Sequence, residues 1–465
     1  MIGDASWLDK LLDADATQQR AKLRDGTVHA RDLLEATLNR IANQNPTLNA
    51  IVRMDVEGAR RAAAVSDARL AAGQPRTLEG LVVTVKDAFD VAGLVNSAGS
   101  PQYAARIPQR DASAVARLRE AGAVILGKTN VSEMLGDLQG FNPVYGMTRN
   151  PHDPERAPGG SSAGSAVAVA TGMAAFDLGS DLCGSIRWPA HCCGVFGFKP
   201  SYSAIPMHGH VPPPPGSHMP TPFSTGGPFA RSARDIMIAF NVLADAPITP
   251  SLKKHLRVAI WADDPACPVD TEVAAAVIAA GEWLATKGVE IVKAPPPINL
   301  SEAIEVFSMD VHTILSLGLS ADTRAALAAA APLLNPADRS HEAMRVRAIA
   351  ADIGEAQSRE RRRNDLADAW RRFFTDVDCV LCPPAVSAAI PHDISPDPYQ
   401  RTIDADFGRR PYFDLIAWSS PASVVGLPAL VAPTGEWAQG LPLGVQIIGA
   451  TESTVLNTAT FFDLI

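Results

Sequence analysis

The stretch GSDLCGSIRWPAHCCG (residues 179–194) surrounds a serine with small neighbours, sets an Asp and an Arg on either side of it, and holds half of the chain's six cysteines. Glycine lets a backbone approach a ligand closely. The stretch therefore reads as a catalytic turn, a thiol or metal site, or a tightly packed corner. The rest of the chain chooses among these.

With 465 residues, the chain is long enough for one large core or two smaller ones. Hydrophobic residues make up 47% and charged residues 20%, which is ordinary globular usage. The net charge is −9 and there is no Lys/Arg stripe to meet a phosphate backbone, which argues against a nucleic-acid ligand. The basic run RERRRN (residues 359–364) reads as the solvated face of a helix. The first twenty residues carry acids and no apolar core, unlike a signal peptide. No window approaches about 18 uninterrupted apolar residues, so no membrane span is expected. Six cysteines are too few for a disulfide scaffold at this length. A cytoplasmic protein with reduced thiols is the expectation.

The first 75 residues read as helical. TVHARDLLEATLNRIANQNP has apolar spacings of three and four and stops at Pro46, and VEGARRAAAVSDARLAA follows it. The period then changes. GLVVTVKD and GAVILGK are short β-branched runs that read as buried strands, with helical ASAVARLREA between them. AGSAVAVATGMAAF reads as a further helix, and LRVAIW, VEIVK, DCVLCPP, PALVAPT and LGVQII as later strands. This alternation predicts an α/β fold, one large mixed β-sheet flanked by helices on both faces. Within one domain we expect an N-terminal helical region (1–75), a core (76–250) and its continuation (251–299). A helical insertion (300–375) and a C-terminal part that completes the sheet (376–465) follow. Residues 205–228 form a long Pro/Gly loop, a length usually associated with function.

The thiol and metal readings fail first. Cys379 and Cys382 are three apart in an apparent strand, so they face opposite ways and neither bridge nor chelate. Cys192 and Cys193 lack a second pair at zinc spacing, and His208 and His210 lie in the Pro-rich loop without acidic neighbours, so no metal or other cofactor is expected. PGGSSAGSA (residues 158–166) has no lysine and is not a phosphate loop. It contains a formal G-x-S-x-G centred on Ser162, but the polar, proline-broken NPHDPERAP before it is not the buried strand a nucleophile elbow requires. Acyl transfer fits better, since it needs a nucleophile, a base and N–H donors for an oxyanion. SDLCGS supplies a serine among small residues, TVKDAF puts Lys86 at the end of a buried strand, and GGSS offers hydroxyls at a helix start. A desolvated lysine can become a neutral base. A packed structural corner would use the same residue types.

Several segments in order resemble the amidase signature family: LEGLVVTVKDAFDVAGLVNSAGS, GAVILGKTNVSEM, NPVYGMTRNPHDPERAPGGSSAGSAVAVATG, GSDLCGSIRWPAHCCGVFGFKPS, GPFARSARDI and GLPLGVQIIGA. HARDLLEATLNRIANQNPTLNAIV fits as well, so that residues 27–250 and 376–450 are covered. The resemblance implies the amidase signature fold and a Ser–cis-Ser–Lys triad, with Ser185 as nucleophile, Lys86 as base and Ser161, after a cis peptide, passing the proton between them. It implies an oxyanion hole of backbone N–H groups from Leu182, Cys183, Gly184 and Ser185, with Asp181 and Arg187 bracing the turn and Ser162 behind Ser161. Met134 and Leu135 are placed at the edge of an apolar substrate pocket.

The chain departs from the family's pattern at Cys183, where glycine is common, and at Leu182, where Thr or Ile is frequent. A side chain at 183 reshapes the acyl pocket, and no paired imidazole is at hand to make it a nucleophile. The expected function is a serine amidohydrolase for small amides, with esters, carbamates and aryl amides in reach, acting as a monomer or homodimer. Two alternatives stand beside it: the glutaminase subunit of a tRNA-dependent amidotransferase, and a non-catalytic binding protein that has kept the fold.

Overall fold

The β-branched run Val82–Lys86 has no exposed residue, as expected of a strand covered on both faces. It lies within an 11-stranded sheet in a computed structural model that describes residues 5–217, 221–249 and 255–464. Residues 218–220 of the Pro-rich loop lie outside that set.

In chain order the strands are β1 (Ile51–Met54), β2 (Val82–Lys86), β3 (Val124–Thr129), the two-residue ribbon β4 (Phe141–Asn142) and β5 (Gly146–Met147), β6 (Phe176–Asp181), β7 (Phe196–Lys199) and β8 (Thr225–Ala230). They continue as β9 (Arg257–Ile260), β10 (Glu290–Val292), β11 (Cys379–Cys382), the hairpin β12 (Thr402–Ala405) and β13 (Gly408–Pro411), β14 (Ala429–Ala438) and β15 (Leu441–Gly449). The large sheet runs β1-β3-β2-β6-β8-β7-β14-β15-β11-β9-β10. Strand β2 is parallel to β3 and β6, and β9 is parallel to β10 and β11. The remaining pairs are antiparallel. The sheet is therefore mixed, with helices packed around it. Among the described residues no helix is long and apolar enough to cross a membrane.

Register positions the chemistry. Val85 of β2 lies beside Leu178 of β6, so Lys86 and Asp181 emerge at the same carboxyl edge of neighbouring parallel strands. That edge is where open α/β sheets bind ligands.

Three local features differ from the sequence reading. The N-terminal region is not wholly helical, because IVRM forms β1 antiparallel to β3. Pro46 does not end its helix, which runs Ala30–Leu48 and closes at Asn49 (φ 52°), whose N–H reaches the Asn45 carbonyl at 2.7 Å. A proline so near the end removes little of the backbone ladder. The expected loop to residue 228 is partly strand, since β8 begins at Thr225 and pairs with both β6 and β7. In residues 300–375, four helices (Leu300–Leu315, Ala321–Ala330, His341–Ala350 and Ile353–Phe373) are joined by short turns.

The segment that follows Lys86 is pinned by a buried ion pair. Lys128 Nζ lies 3.1 Å from Asp87 Oδ1 and donates to the Phe89 carbonyl at 2.7 Å, and the Ser97 hydroxyl donates to Asp87 at 2.5 Å. Neither charged side chain is exposed. Removing one partner strands the other charge. Lys128→Met is expected to cost about 3–5 kcal/mol in urea unfolding. A cost under about 1 kcal/mol would show that the pair does not hold this segment.

Candidate active site

Lys86 closes β2 with no exposed surface. Its Nζ lies 2.7 Å from Ser161 Oγ, 2.8 Å from Ser162 Oγ and 3.2 Å from the Ser180 carbonyl. Burial disfavours the ammonium and outweighs the pull of Asp181 and Asp177, so the lysine falls to about 7. It is thus available as a neutral amine near physiological pH.

Ser161 follows a cis peptide from Gly160, and Ser162 begins the helix Ala163–Ala170. The Ser162 hydroxyl also lies 3.2 Å from the Ser180 carbonyl. The preceding Gly159 has φ +81°, and a Cβ there would stand 2.6 Å from Pro189 Cα. The Gly-Gly-Ser-Ser segment therefore packs on the first turn of helix Arg187–Cys193, the helix that follows Ser185.

The turn between β6 and that helix is organised around Asp181. Its carboxylate accepts the N–H of Gly184 at 2.8 Å, of Ile186 at 3.0 Å and of Arg187 at 3.4 Å. Arg187 grips it twice, Nη2 at 2.9 Å and Nε at 3.1 Å, and also reaches the Ser419 carbonyl, Gln446 Oε1 and Ser423 Oγ. Burial raises the Asp181 carboxyl, but Arg187 outweighs that and holds it at about 2. Gly184 has φ +116°, and a Cβ there would come within 2.6 Å of Ser419 Oγ.

Ser185 is buried on this turn, and its hydroxyl makes no hydrogen bond to another described residue, Ser161 included. Apo sites often hold such contacts long. No described residue accepts the N–H of Leu182, Cys183 or Ser185, whereas that of Gly184 is already taken by Asp181. Cys183 is half-buried, and burial pushes its thiol up to about 12, far from a thiolate at neutral pH. Met134 and Leu135 are half-buried with φ of 46° and 61°. They sit on the segment that leads to Leu138, whose carbonyl accepts from Trp188 Nε1 at 3.0 Å.

Sequence reasoning missed two groups. Lys199, buried on β7, is also lowered to about 7 by burial and by Arg187, and among the described residues its Nζ meets the Pro200 carbonyl at 3.0 Å and the Tyr202 ring. A Lys-Pro pair at a strand end gave no sign of burial. His210, from the Pro-rich loop, lies 2.9 Å from Ser180 Oγ. The sequence carried no signal linking that loop to the lysine.

A neutral lysine beside two hydroxyls, next to a rigid turn with unclaimed N–H groups, has the equipment of a serine hydrolase that uses lysine where others use histidine. The sequence model of the Amidase family matches residues 32–455. The chain is 31% identical to the indoleacetamide hydrolase of Bradyrhizobium diazoefficiens, over 93% of this chain and 82% of that one. It is 30% identical to one of the subunits of the glutamyl-tRNA(Gln) amidotransferase of a Roseiflexus species, over 94% and 93% of the two chains. A crystal structure described as an amidase superposes with a TM-score of 0.81 at 30% identity, covering 97% of this chain and 99% of the other. The chain belongs to the amidase family, the amidase signature enzymes, which hydrolyse C–N bonds.

Arg187 makes a planar, forked contact that lysine does not reproduce. Arg187→Lys is expected to lower the urea midpoint clearly and to slow covalent labelling of the protein by a fluorophosphonate at least about tenfold. Wild-type values in both would remove Asp181–Arg187 from the support of the turn.

Proposed function

We propose that the chain is a serine amidohydrolase that cleaves small amides through an acyl-enzyme on Ser185, with Lys86 as base and Ser161 as proton relay. The carrying observation is the buried Lys86 amine, near neutrality and 2.7 Å from Ser161 Oγ. The proton count supports these roles. A neutral amine has two N–H donors and one lone pair. The Ser162 hydroxyl has the Ser180 carbonyl as acceptor, and the amine's N–H groups go to Ser162 Oγ and that same carbonyl. The lone pair is then left for the Ser161 O–H, which makes Ser161 the relay and Ser162 its support.

In the first step Ser185 Oγ bonds to the carbonyl carbon, its proton passes to Ser161 Oγ, and the Ser161 proton passes to Lys86. The oxyanion rests on the N–H groups of Leu182, Cys183 and Ser185, while that of Gly184 stays on Asp181. The C–N bond then breaks, and the relay returns the proton to the departing amine. Water attacks the acyl-enzyme with the same relay as base and releases the acid. Because one relay both activates the nucleophile and protonates the leaving group, amides, esters and carbamates are all in range. Met134, Leu135 and Cys183 edge the acyl pocket in this reading.

The glutaminase role within an amidotransferase is the second reading, supported by the likeness to the Roseiflexus protein over nearly the whole chain. Glutamine hydrolysis by the isolated chain, weighed against turnover of an anilide, ester and carbamate panel, separates the two.

Intact-protein mass after exposure to a fluorophosphonate is expected to show one adduct on wild type and none on Ser185→Ala. An adduct that survives the substitution moves the nucleophile elsewhere, with Ser162 first in line. No adduct on either points to a protein that only binds. The rate of labelling is expected to rise with pH through a single ionisation near 7, since the neutral fraction of a lysine lowered to about 7 grows as protons leave. Lys86→Arg, charged at every pH, is expected to lose several powers of ten. A flat pH profile or near-wild-type labelling by this variant would remove Lys86 as base.

A further inference from the structure

The segment SAIPMHGHVPPPPG (residues 203–216) has no role in the proton relay just described, yet it is stitched to the residues after Lys86. The Val211 N–H donates to the Ala88 carbonyl at 2.7 Å, Asp90 N–H to the Gly209 carbonyl at 2.9 Å, and Ser113 N–H to the His208 carbonyl at 3.1 Å. Phe89 meets the His210 ring edge-on, with centroids 4.7 Å apart. These contacts set His210, itself buried, beside the end of β6.

The imidazole has one possible arrangement there. Nδ1 lies 2.7 Å from the Pro212 carbonyl, which can only accept, so Nδ1 carries the proton. Nε2 is then a lone pair, and the Ser180 hydroxyl 2.9 Å away must be its donor. The carbonyl of the same Ser180 is the oxygen met by both Lys86 Nζ and Ser162 Oγ.

We infer that His210 is a positioning residue for Lys86: by accepting the Ser180 hydroxyl it fixes the Ser180 carbonyl on which the lysine and Ser162 both rest. The inference depends on Lys86 being the base proposed above. The groups facing the ring are Lys86, Lys128 and Asp90. Burial, helped by the Lys86 charge, pushes His210 down to about 3, so the accepting lone pair persists throughout the range in which Lys86 loses its proton. A lysine with one oxygen contact loosened holds its lone pair less accurately toward Ser161, and a misplacement of about 1 Å can cost about a hundredfold in rate.

The test is a double-mutant cycle read by the rate at which a fluorophosphonate labels Ser185, with thermal unfolding alongside. His210→Phe keeps a ring against Phe89 and removes the acceptor, Ser180→Ala removes the donor, and His210→Gln keeps an acceptor of similar reach. His210→Phe and Ser180→Ala are each expected to slow labelling about tenfold or more, and the double variant to be no slower than the worse single one. His210→Gln is expected to recover part of the rate. The midpoint of the pH profile moves to lower pH in Ser180→Ala, because the ammonium form of Lys86 loses part of an acceptor. Multiplying effects in the double variant, or wild-type labelling in Ser180→Ala, would overturn the inference while leaving the base intact. If His210→Phe does not fold, the rate and pH midpoint of Ser180→Ala decide alone. Absence of labelling in the wild type would instead overturn the base assignment itself.

Discussion

Desolvation of one lysine sets the terms for the rest of the structure. Lys86 has no exposed surface, so its ammonium is disfavoured, and the pull of Asp181 and Asp177 does not restore the ordinary value. The three oxygens around Nζ keep the group from being orphaned in either protonation state. A lysine in water would be charged and useless as a base at neutral pH. Strand β2 therefore contributes a buried end to the site as well as a place in the sheet.

Among the described residues, two buried ion pairs hold the segments next to this lysine and the serine turn. Lys128–Asp87 secures the segment that leaves β2, and Asp181–Arg187 secures the turn that leaves β6. Buried ion pairs contribute little net stability over apolar packing. Their use here is geometric, because each carboxylate also gathers hydrogen-bond donors from neighbouring backbone or hydroxyl groups. Asp181 takes Gly184 N–H but leaves those of Leu182, Cys183 and Ser185 without a described acceptor, which keeps donors available beside the serine. Of the four N–H groups expected to face an oxyanion, that of Gly184 is bound to Asp181.

How much of this was legible in the sequence follows from the range of each interaction. The β-branched runs of β2 and β3 announce themselves because strands covered on both faces must be apolar throughout. Lys86, Ser161, Ser162, Asp181 and Arg187 could be named together only through the resemblance of their ordered segments to the amidase signature family, since composition and spacing alone leave a packed corner equally open. β8 was not, since TGGPFA has the composition of a loop and its burial comes from β6 and β7, which are distant in sequence. β1 was hidden by its four-residue length, too short for a period of two to declare itself. The pairing of Lys128 with Asp87, 41 residues away, is made by tertiary folding and has no local signature. His210 has no acidic neighbour in the sequence to suggest a metal, and its partner is a hydroxyl 30 residues back in the chain. Patterning reports burial and local shape; it does not report which polar groups tertiary folding pairs.

The contacts around Lys86 and a second, aromatic group of contacts come from different parts of the chain. The groups that tune Lys86 and hold the turn come from the sheet and its adjoining helices. Elsewhere, Tyr399 belongs to an aromatic group with His312 and Phe413. The Tyr399 hydroxyl is 3.0 Å from His312 Nδ1, and Arg345 lies over the Tyr399 ring. His312 and Arg345 come from two helices of the 300–375 segment. Burial keeps His312 uncharged, down to about 3. The turn itself is held by the buried Asp181–Arg187 pair. The contacts of Lys86 come from Ser161, Ser162 and Ser180 and those of the aromatic group from His312, Arg345 and Phe413, so the two sets share no residue.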